Sequence, residues 1–292
     1  MSLYALPVLF TLFVWWFSTG VILFLDGLPK RTFRWSMLGA TILLGAALYG
    51  LSVTAADTSV QGAYAAFACG VLVWGWQEMS FLMGFVTGPR RTPCPSGCAG
   101  WPHFGHAIET VLYHELALIA AATAVIAVTW GGSNQVGTWT FLVLWAMRQS
   151  AKLNVFLGVR NLSEEFLPDH LRYLESFFKR KPMNLLFPVS ITVSTVVAVL
   201  MWSRALASDT SAFEATGLTF ASTLLTLAIL EHWFLVLPLP ATALWRWGLR
   251  SRKADASRQA LPGRAHASDA DERISRASEV DACAVRAANL PV

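Results

Sequence analysis

Long apolar stretches alternate with short polar connections along most of this chain. A helix needs about 20 mostly apolar residues to cross the hydrocarbon core of a bilayer. Seven stretches qualify, at about residues 3–25, 36–56, 60–86, 107–130, 136–157, 185–207 and 213–238. The pattern predicts an all-α, polytopic integral membrane protein with about seven transmembrane helices, and we expect residues 1–250 to form a single seven-span domain.

Two segments depart from this pattern. In the connection 158–184, apolar residues recur near helical spacing ahead of Lys179, Arg180 and Lys181. We interpret about 163–181 as a helix lying on the cytoplasmic membrane surface, although a partner-binding helix would have the same sequence pattern. Residues 251–292 are rich in Ala, Ser, Arg and Asp with few aromatic residues, which predicts a disordered cytoplasmic tail.

Basic residues predict the orientation in the membrane. Lys and Arg follow the first, third and fifth apolar stretches, whereas the connections 57–59, 131–135 and 208–212 contain none. Because cytoplasmic loops are enriched in Lys and Arg, we expect a periplasmic N-terminus and a cytoplasmic C-terminus in a bacterial inner membrane. No basic region precedes the first stretch and no small-residue cleavage site follows it, so we expect it to be retained as a span.

The composition supports a membrane protein and indicates which classes of binding partner to expect. Hydrophobic residues make up 55 % of the 292 residues and charged residues 14 %, with a formal net charge of +4. The positive charge is concentrated beside the apolar stretches, where anionic membrane lipid accounts for it, and no nucleic-acid-binding motif occurs. The chain also has no glycine-rich phosphate loop, serine nucleophile elbow or zincin motif to support a hydrolase or nucleotide-driven enzyme.

Ionisable residues inside the apolar stretches are the main candidates for function, because such residues are expensive in hydrocarbon. Their expected depths allow one polar layer within the helix bundle, formed by Glu78, Glu109, His114, Glu115, Arg148, Lys152, Glu231 and His232. The simplest interpretation is structural: the four carboxylates neutralise Arg148 and Lys152.

Two chemical interpretations compete with ion pairing. The carboxylate and imidazole side chains are the ligand types of a di-iron centre in a helix bundle, which gives a candidate metal set of His106, Glu109, His114, Glu78, Glu231 and His232. The usual Glu-x-x-His order is absent, however. Alternatively, His114 and His232 have the depth required to ligate the central metal of a tetrapyrrole pigment.

A cysteine pair occurs in the connection before the fourth apolar stretch. Cys94 and Cys98 lie in Cys-Pro-Ser-Gly-Cys, and with His103 and His106 they could form a Cys2His2 zinc site. The spacing is tighter than in zinc fingers, and an ordinary reduced loop is the simpler interpretation.

Several sequence blocks resemble a known family. They are Trp15-Trp16-Phe17-Ser18-Thr19-Gly20, Leu25-Asp26-Gly27-Leu28-Pro29, His103-Phe104-Gly105-His106, Tyr113-His114-Glu115-Leu116, Lys152 to Leu162, and Leu230-Glu231-His232-Trp233-Phe234. Together they resemble the photosynthetic complex assembly proteins of purple bacteria, of the PuhE type encoded with the reaction-centre H subunit. The resemblance covers roughly residues 3–250 and brings no agreed catalytic residues.

The resemblance implies an inner-membrane factor that assists assembly of the photosynthetic reaction centre and the core light-harvesting complex. It also implies an influence on bacteriochlorophyll accumulation, and pigment handling would make bacteriochlorophyll or a precursor the expected cofactor. Reaction-centre or antenna subunits would then be the partners. The alternatives left open are a di-iron-type membrane oxidoreductase of the pigment pathway, which would use iron at the Glu and His cluster, and a transporter that uses Arg148 and Lys152 to attract an anion.

Overall fold

The computed structural model describes residues 2–162, 164–239 and 241–252, and over these residues the fold is all-α. Its long helices are α1 Ser2–Asp26, α2 Phe33–Thr54, α3 Val60–Leu82, α4 Gly100–Val128, α5 Val136–Leu157, α6 Leu186–Ala205 and α7 Ala212–Val236. Short 3-10 helices cover Lys30–Thr32, Glu164–Phe166, Asp169–Phe177 and Ala241–Trp245. The prediction of an all-α fold is therefore confirmed.

Five of the long helices are apolar enough and long enough to cross a membrane. They coincide with α1, α2, α4, α6 and α7. Helices α3 and α5 are not among these five, and both carry polar side chains: Gln77 and Glu78 in α3, and Arg148 and Lys152 in α5. The chain is thus a membrane protein whose apolar helices contact lipid, and the number of seven spans stays a prediction.

Helix α7 lies at the centre of the bundle. In its most apolar 18-residue window 67 % of the residues are buried, whereas the figure is 17 % for α1, α2 and α6. It packs against α1, α3, α5 and α6, and the ring of Phe220 stacks on Phe67 of α3 with 4.3 Å between ring centroids. This position carries the polar end of α7, with Glu231 and His232, into contact with several other helices.

Small residues bring α3 and α5 together. A Cβ atom added at Gly70 would lie 2.7 Å from the carbonyl oxygen of Gly137, and one at Gly137 would lie 2.8 Å from the carbonyl oxygen of Ala66. Membrane helices use such residues to let their backbones approach closely. The close crossing allows the polar side chains of α3 and α5 to meet further along the pair.

The connections at the two ends of the bundle differ. Those that follow α1, α3, α5 and α7 contact one another: the backbone N–H of Cys94 donates to Ser176 Oγ at 2.9 Å, and Arg252 donates to the carbonyl oxygen of Glu165 at 2.8 Å. At the opposite end, Asn134 donates from Nδ2 to the carbonyl oxygen of Asp57 at 3.0 Å. The basic connections therefore gather at one end of the molecule.

The prediction of one continuous surface helix over about 163–181 is wrong. Ser163 lies outside the described residues, Glu164–Phe166 and Asp169–Phe177 form two short 3-10 helices, and residues 178–181 are not helical. Pro168, between the two 3-10 helices, restricts the preceding residue to extended conformations and interrupts a helix. The longer 3-10 helix buries Leu171, Leu174 and Phe177 against the bundle, so it is part of the folded domain.

The folded domain extends past the boundary predicted at residue 250. Ser251 Oγ donates to the carbonyl oxygen of Phe24 at 2.8 Å, and Arg252 forms an ion pair with Asp26 at 2.9 Å. Ser251 and Arg252 therefore belong to the domain and not to the predicted tail. The remainder of that tail, 253–292, lies outside the described residues.

Candidate functional site

A partly enclosed cavity of about 210 Å³ lies between α1, α3, α5 and α7. Its ionisable lining residues are Glu78, Arg148 and Glu231, and its walls include Trp15 and Trp74. A wider, shallower depression of about 1090 Å³ between α1 and α3 is mostly apolar and holds none of the candidate residues. The smaller cavity therefore combines enclosure with ionisable groups inside the bundle.

An ion pair spans this cavity. Arg148 Nη2 lies 3.0 Å from Glu78 Oε2, and the Glu78 side chain is 14 % exposed whereas that of Arg148 is 39 % exposed. The other carboxylate oxygen of Glu78 and the Nε of Arg148 are buried without a hydrogen-bond partner in the described part of the chain. The pair satisfies the charges only in part, which leaves hydrogen-bonding capacity for a ligand.

Glu231 faces the same cavity from α7. Trp15 on α1 donates its indole N–H to Glu231 Oε1 at 2.7 Å. The cavity thus holds one guanidinium and two carboxyl groups supplied by three helices.

A second polar group joins α4 to α5. Lys152 Nζ lies 2.6 Å from Glu115 Oε1, and Gln149 donates its side-chain amide to the other oxygen of Glu115. Both charged side chains are about three-quarters buried, at 23 % and 24 % exposed. Glu115 is therefore a structural partner of α5, as the ion-pairing interpretation expects.

His232 ends a chain of hydrogen bonds across three helices. Its Nδ1 lies 2.8 Å from the carbonyl oxygen of Ala228 and its Nε2 lies 2.9 Å from Ser150 Oγ. Since the carbonyl can only accept, Nδ1 carries the proton and Nε2 accepts from Ser150. Ser190 lies 3.0 Å from Ser150 and receives a hydrogen bond from Asn154. Both imidazole nitrogens are occupied, so pigment ligation by His232 would require these bonds to break.

His114 is separate from both groups. It is 1 % exposed and packs against Phe81 with 4.7 Å between ring centroids. Its Nδ1 has no hydrogen-bond partner among the described residues. A free nitrogen makes His114 the better placed of the two proposed pigment ligands, although it lines neither of the two cavities described above.

Glu109 and His106 lie outside the bundle interior. Arg90, in the connection before α4, donates to Glu109 Oε2 at 2.8 Å, and His106 Nδ1 lies 3.3 Å from Cys98 Sγ in the same connection. Partial burial of the Cys94 thiol, with the neighbouring Cys98 thiol as the next cause, raises the pKa of Cys94 to about 11.

The eight ionisable residues that the sequence predicted in one polar layer of the bundle therefore do not form a single layer. They divide into the cavity group, the Glu115–Lys152 pair, the His232 chain, the isolated His114 and the Glu109–Arg90 pair. The six residues suggested for iron are dispersed in the same way. In residues 2–162, 164–239 and 241–252, the one group of three or more donors close enough to share a metal ion is Cys94, Cys98 and His106.

Sequence reasoning missed the uncharged members of these networks. Trp15, Ser150 and Ser190 are ordinary residues of membrane helices and carry no signal of their own. Asn154 did carry one, because an amide inside an apolar helix needs a partner as a charge does. Asn184, whose side chain donates to the carbonyl oxygen of Asn154 at 3.1 Å, is its buried partner across the following connection.

Comparison with known proteins assigns this chain to a family. Residues 1–256 match the family model described as "Protein of unknown function (DUF3623)". The chain is 42 % identical over 265 residues to the "Uncharacterized 30.4 kDa protein in puhA 5'region" of Rhodobacter capsulatus, covering 89 % of this chain and 96 % of that protein. No solved structure matches the chain. On the extent of both matches, the chain belongs to the DUF3623 family.

Proposed function

We propose that this protein is an inner-membrane factor of the PuhE type that assists assembly of the photosynthetic reaction centre and core light-harvesting complex. In this role it handles bacteriochlorophyll or a precursor and so influences how much pigment accumulates. The genomic context in the relative's name, the 5' region of puhA, supports a role in photosynthesis. The sequence blocks that resemble PuhE-type assembly proteins support the same role.

The observation that carries the pigment-handling part is the unpartnered Nε–H of Arg148 in the cavity between α1, α3, α5 and α7. A carbonyl or carboxylate oxygen of a chlorin would accept from this group. Burial strengthens such a charge-assisted hydrogen bond relative to water. The walls supplied by Trp15 and Trp74 suit the flat apolar edge of a macrocycle.

The size of the cavity restricts what enters it. At about 210 Å³ it is smaller than the roughly 300–1,000 Å³ of pockets that enclose a whole drug-sized ligand. A polar substituent fits, while the rest of a large amphiphile stays in the surrounding lipid. This arrangement suits transient presentation of a pigment to a partner subunit better than permanent storage.

The proposed orientation follows from the end at which the basic connections meet. Arg31, Arg91, Lys181 and Arg250 all belong to connections at that end, and it would face the cytoplasm. Arg204, near the other end, is held in ion pairs with Asp209 at 2.8 Å and Glu214 at 3.0 Å. Those acidic partners balance its charge, so it does not oppose the proposed orientation. Nascent reaction-centre or antenna subunits would then dock laterally against the helices or on the cytoplasmic face.

The test is pigment recovery with the protein purified from a pigment-producing purple bacterium in mild detergent. Wild type, Arg148→Gln and the control Arg204→Gln would be compared by absorption spectroscopy at equal protein concentration. Arg148→Gln removes the cavity cation, whereas Arg204→Gln removes an exposed cation near the far end of the bundle. We expect bound bacteriochlorin in wild type and in Arg204→Gln, and at least a tenfold loss in Arg148→Gln, which is the equivalent of about 1.4 kcal/mol.

The same variants would be assayed for reaction-centre accumulation in a host lacking the native gene. Normal accumulation with Arg148→Gln would contradict a role for the cavity in assembly. Wild type without pigment that still cross-links to reaction-centre or antenna subunits would support an assembly factor acting through protein contacts and would remove pigment handling. The proposal as a whole would be overturned if the wild-type protein bound no pigment, cross-linked to no partner subunit and did not restore assembly.

A further inference from the structure

The connection between α3 and α4 brings four nitrogen and sulfur donors to one place. Cys94 Sγ lies 3.2 Å from His103 Nδ1, and Cys98 Sγ lies 3.3 Å from His106 Nδ1. The ligand atoms of Cys94, Cys98 and His106 all lie within 4.8 Å of one another. His103 contacts Cys94 but stands outside this compact group of three.

Local sequence explains how the donors converge. His103 and His106 are three residues apart in the first two turns of α4, a spacing that places them on one face of the helix. The two cysteines flank Pro-Ser-Gly, and the turn between them is closed by a hydrogen bond from the Cys98 N–H to the Pro95 carbonyl oxygen at 3.1 Å. Gly97 adopts φ 79° in this turn, a conformation that favours glycine.

The rest of the connection holds this turn against α4. Arg90 pairs with Glu109 at 2.8 Å, one helical turn beyond His106. Gly88 lies so close to α4 that an added Cβ would meet the carbonyl oxygen of Glu109 at 2.0 Å. The Cys94 N–H is fixed from the other side by Ser176 Oγ. The cysteines are therefore positioned by contacts that do not depend on a disulfide.

The fourth donor is also held in place. The His103 ring stacks on the rings of Phe156 and Phe177, with centroid distances of 5.4 and 5.5 Å and interplanar angles of 25° and 30°. These contacts hold the ring while its Nδ1 lies 3.2 Å from Cys94 Sγ. Four-fold coordination would require His103 to approach the other three donors.

The spacing of these atoms suits a tetrahedral metal ion. With Zn–S of about 2.3 Å and Zn–N of about 2.0–2.1 Å, a tetrahedral centre puts sulfur and nitrogen about 3.6 Å apart. The two sulfur–nitrogen pairs, at 3.2 and 3.3 Å, already lie within a few tenths of an ångström of that separation. We propose that Cys94, Cys98, His103 and His106 form a structural zinc site that joins the α3–α4 connection to the first turns of α4.

Zinc binding at this site requires no redox step. The two thiols each lose a proton to solvent as two Zn–S bonds form, each histidine gives a nitrogen lone pair, and no electron is transferred. Two thiolates and one Zn²⁺ make a neutral centre, which is favourable beside the aromatic rings that surround it. Four protein ligands close the coordination sphere, as in structural and not catalytic zinc sites.

Such a site would fix the end of the bundle at which the basic connections meet. The α3–α4 connection contacts the 3-10 helix Asp169–Phe177 through the Cys94–Ser176 hydrogen bond. Zinc would therefore order two neighbouring connections at once and present them as one surface. This role is independent of whether the cavity binds pigment.

The experiment measures metal in the full-length protein, purified with a metal-free affinity tag under reducing conditions from zinc-supplemented cells. Elemental analysis should find about one zinc ion per chain in wild type. Cys98→Ser and His106→Ala should each lose the bound zinc. Cys69→Ser is the matched control because Cys69 lies in α3 and is not one of the four donors, so it should retain zinc at the wild-type level.

A second measurement avoids dependence on variants that fail to fold. Wild-type protein would be stripped with a chelator and titrated with Co²⁺, which reports its ligands through visible absorption. A sulfur-to-cobalt charge-transfer band with intense tetrahedral d–d bands, displaced by zinc, would support two thiolate ligands. Zinc-free wild type that also gives no such bands would overturn the proposal, as would zinc retained when Cys94 and Cys98 are both replaced. A Cys94–Cys98 disulfide in freshly isolated protein would likewise exclude the site.

Discussion

Arg252 makes a bidentate ion pair with Asp26, the last residue of α1. Its Nη2 lies 2.9 Å from each carboxylate oxygen, and the Asp26 side chain is fully buried. The same guanidinium donates to the backbone carbonyl oxygens of Glu165 and Phe166, at 2.8 and 3.0 Å. One residue near the end of the described chain therefore joins α1, the connection after α5 and the segment after α7.

Replacing Asp26 with Asn should destabilise the folded protein. The change keeps the shape of the side chain but removes the charge that pairs with Arg252, and we expect a loss of about 2 kcal/mol. Thermal unfolding in detergent, followed by helical circular dichroism, would measure it. Asp209→Asn is the matched control, because Asp209 pairs with Arg204 at the exposed surface, where ion pairs contribute little.

Truncation tests the same contact independently. A chain that ends at residue 253 keeps Ser251 and Arg252 and should melt as the full chain does. A chain that ends at 250 should lose at least as much stability as Asp26→Asn, because it also loses the hydrogen bonds of Ser251 to Phe24 and of Arg252 to Glu165 and Phe166. Equal melting temperatures for the two truncated chains would contradict a structural role for Arg252.

Gly88→Ala should disturb the connection that carries the proposed zinc site. The new Cβ would lie 2.0 Å from the carbonyl oxygen of Glu109 and 2.5 Å from the carbonyl carbon of Thr110, both backbone atoms of α4 that cannot move cheaply. We expect a loss of about 1–3 kcal/mol and weaker zinc binding. Chelator competition and thermal unfolding would measure the two effects.

Gly105→Ala is the control for this change. No atom lies within 4 Å of a Cβ added at Gly105, which sits in α4 between the two histidines. Alanine is the better helix former, so stability should rise by about 0.5–1 kcal/mol with zinc binding unchanged. A Gly88→Ala protein that matches the Gly105→Ala protein in both measurements would show that the connection is not packed as described.

The helices were largely predictable because hydrocarbon imposes long apolar runs. The predicted stretches 136–157 and 213–238 correspond to α5 Val136–Leu157 and α7 Ala212–Val236. The apolar stretch predicted at about 107–130 begins seven residues after α4 does, at Gly100, because the first turns of α4 carry His103 and His106 and contact the preceding connection. Apolarity marks the part of a helix that faces lipid, not the whole helix.

The candidate site was predictable in its residues but not in its grouping. Depth along the membrane placed Glu78, Glu115 and Arg148 near one another, yet depth does not specify which helices are neighbours. Glu78 pairs with Arg148 because α3 and α5 cross closely at glycines, and Glu115 faces α5 from the other side. The four donors of the proposed zinc site were candidates from the sequence, but the close contact of Gly88 with α4, which helps to hold them together, leaves no pattern in the sequence.

A double-mutant cycle should show that His232 and Ser150 act as a pair. His232→Phe leaves the hydroxyl of Ser150 without its acceptor in a buried site, and we expect a cost of about 1–3 kcal/mol. With Ser150→Ala in the same chain, part of that cost should disappear, giving a coupling energy of about 1 kcal/mol. Independent effects of the two changes would contradict the hydrogen bond.

The same variants distinguish structure from pigment ligation. If His232 serves only the hydrogen-bond chain, pigment bound per folded protein should be unchanged in His232→Phe, and the corresponding His114→Phe should be compared beside it. Loss of pigment in a fully folded His232→Phe protein would assign His232 to pigment ligation instead.

Acidification should destabilise the protein through His170, which lies outside the membrane-spanning helices. Burial lowers the pKa of His170, Lys30 and Arg252 lower it further, and a backbone hydrogen bond to Leu82 and the charge of Asp169 partly oppose this shift. The Nε2 of His170 is buried and has no hydrogen-bond partner in the described chain. A proton on this ring would therefore be poorly solvated in the folded state.

The direction of this pH effect depends on the pKa of His170 in the folded and the unfolded chain. The unfolded chain protonates His170 near its ordinary pKa of about 6.5, whereas the folded chain does so only at lower pH. Between these values the unfolded state binds more protons, so the free energy of unfolding falls as the pH falls below about 6.5. His170→Phe keeps an aromatic ring against Phe33 and removes the titration. Melting temperatures from pH 8 to pH 5 should therefore fall less steeply for His170→Phe than for wild type, and parallel curves would show that His170 does not sense pH.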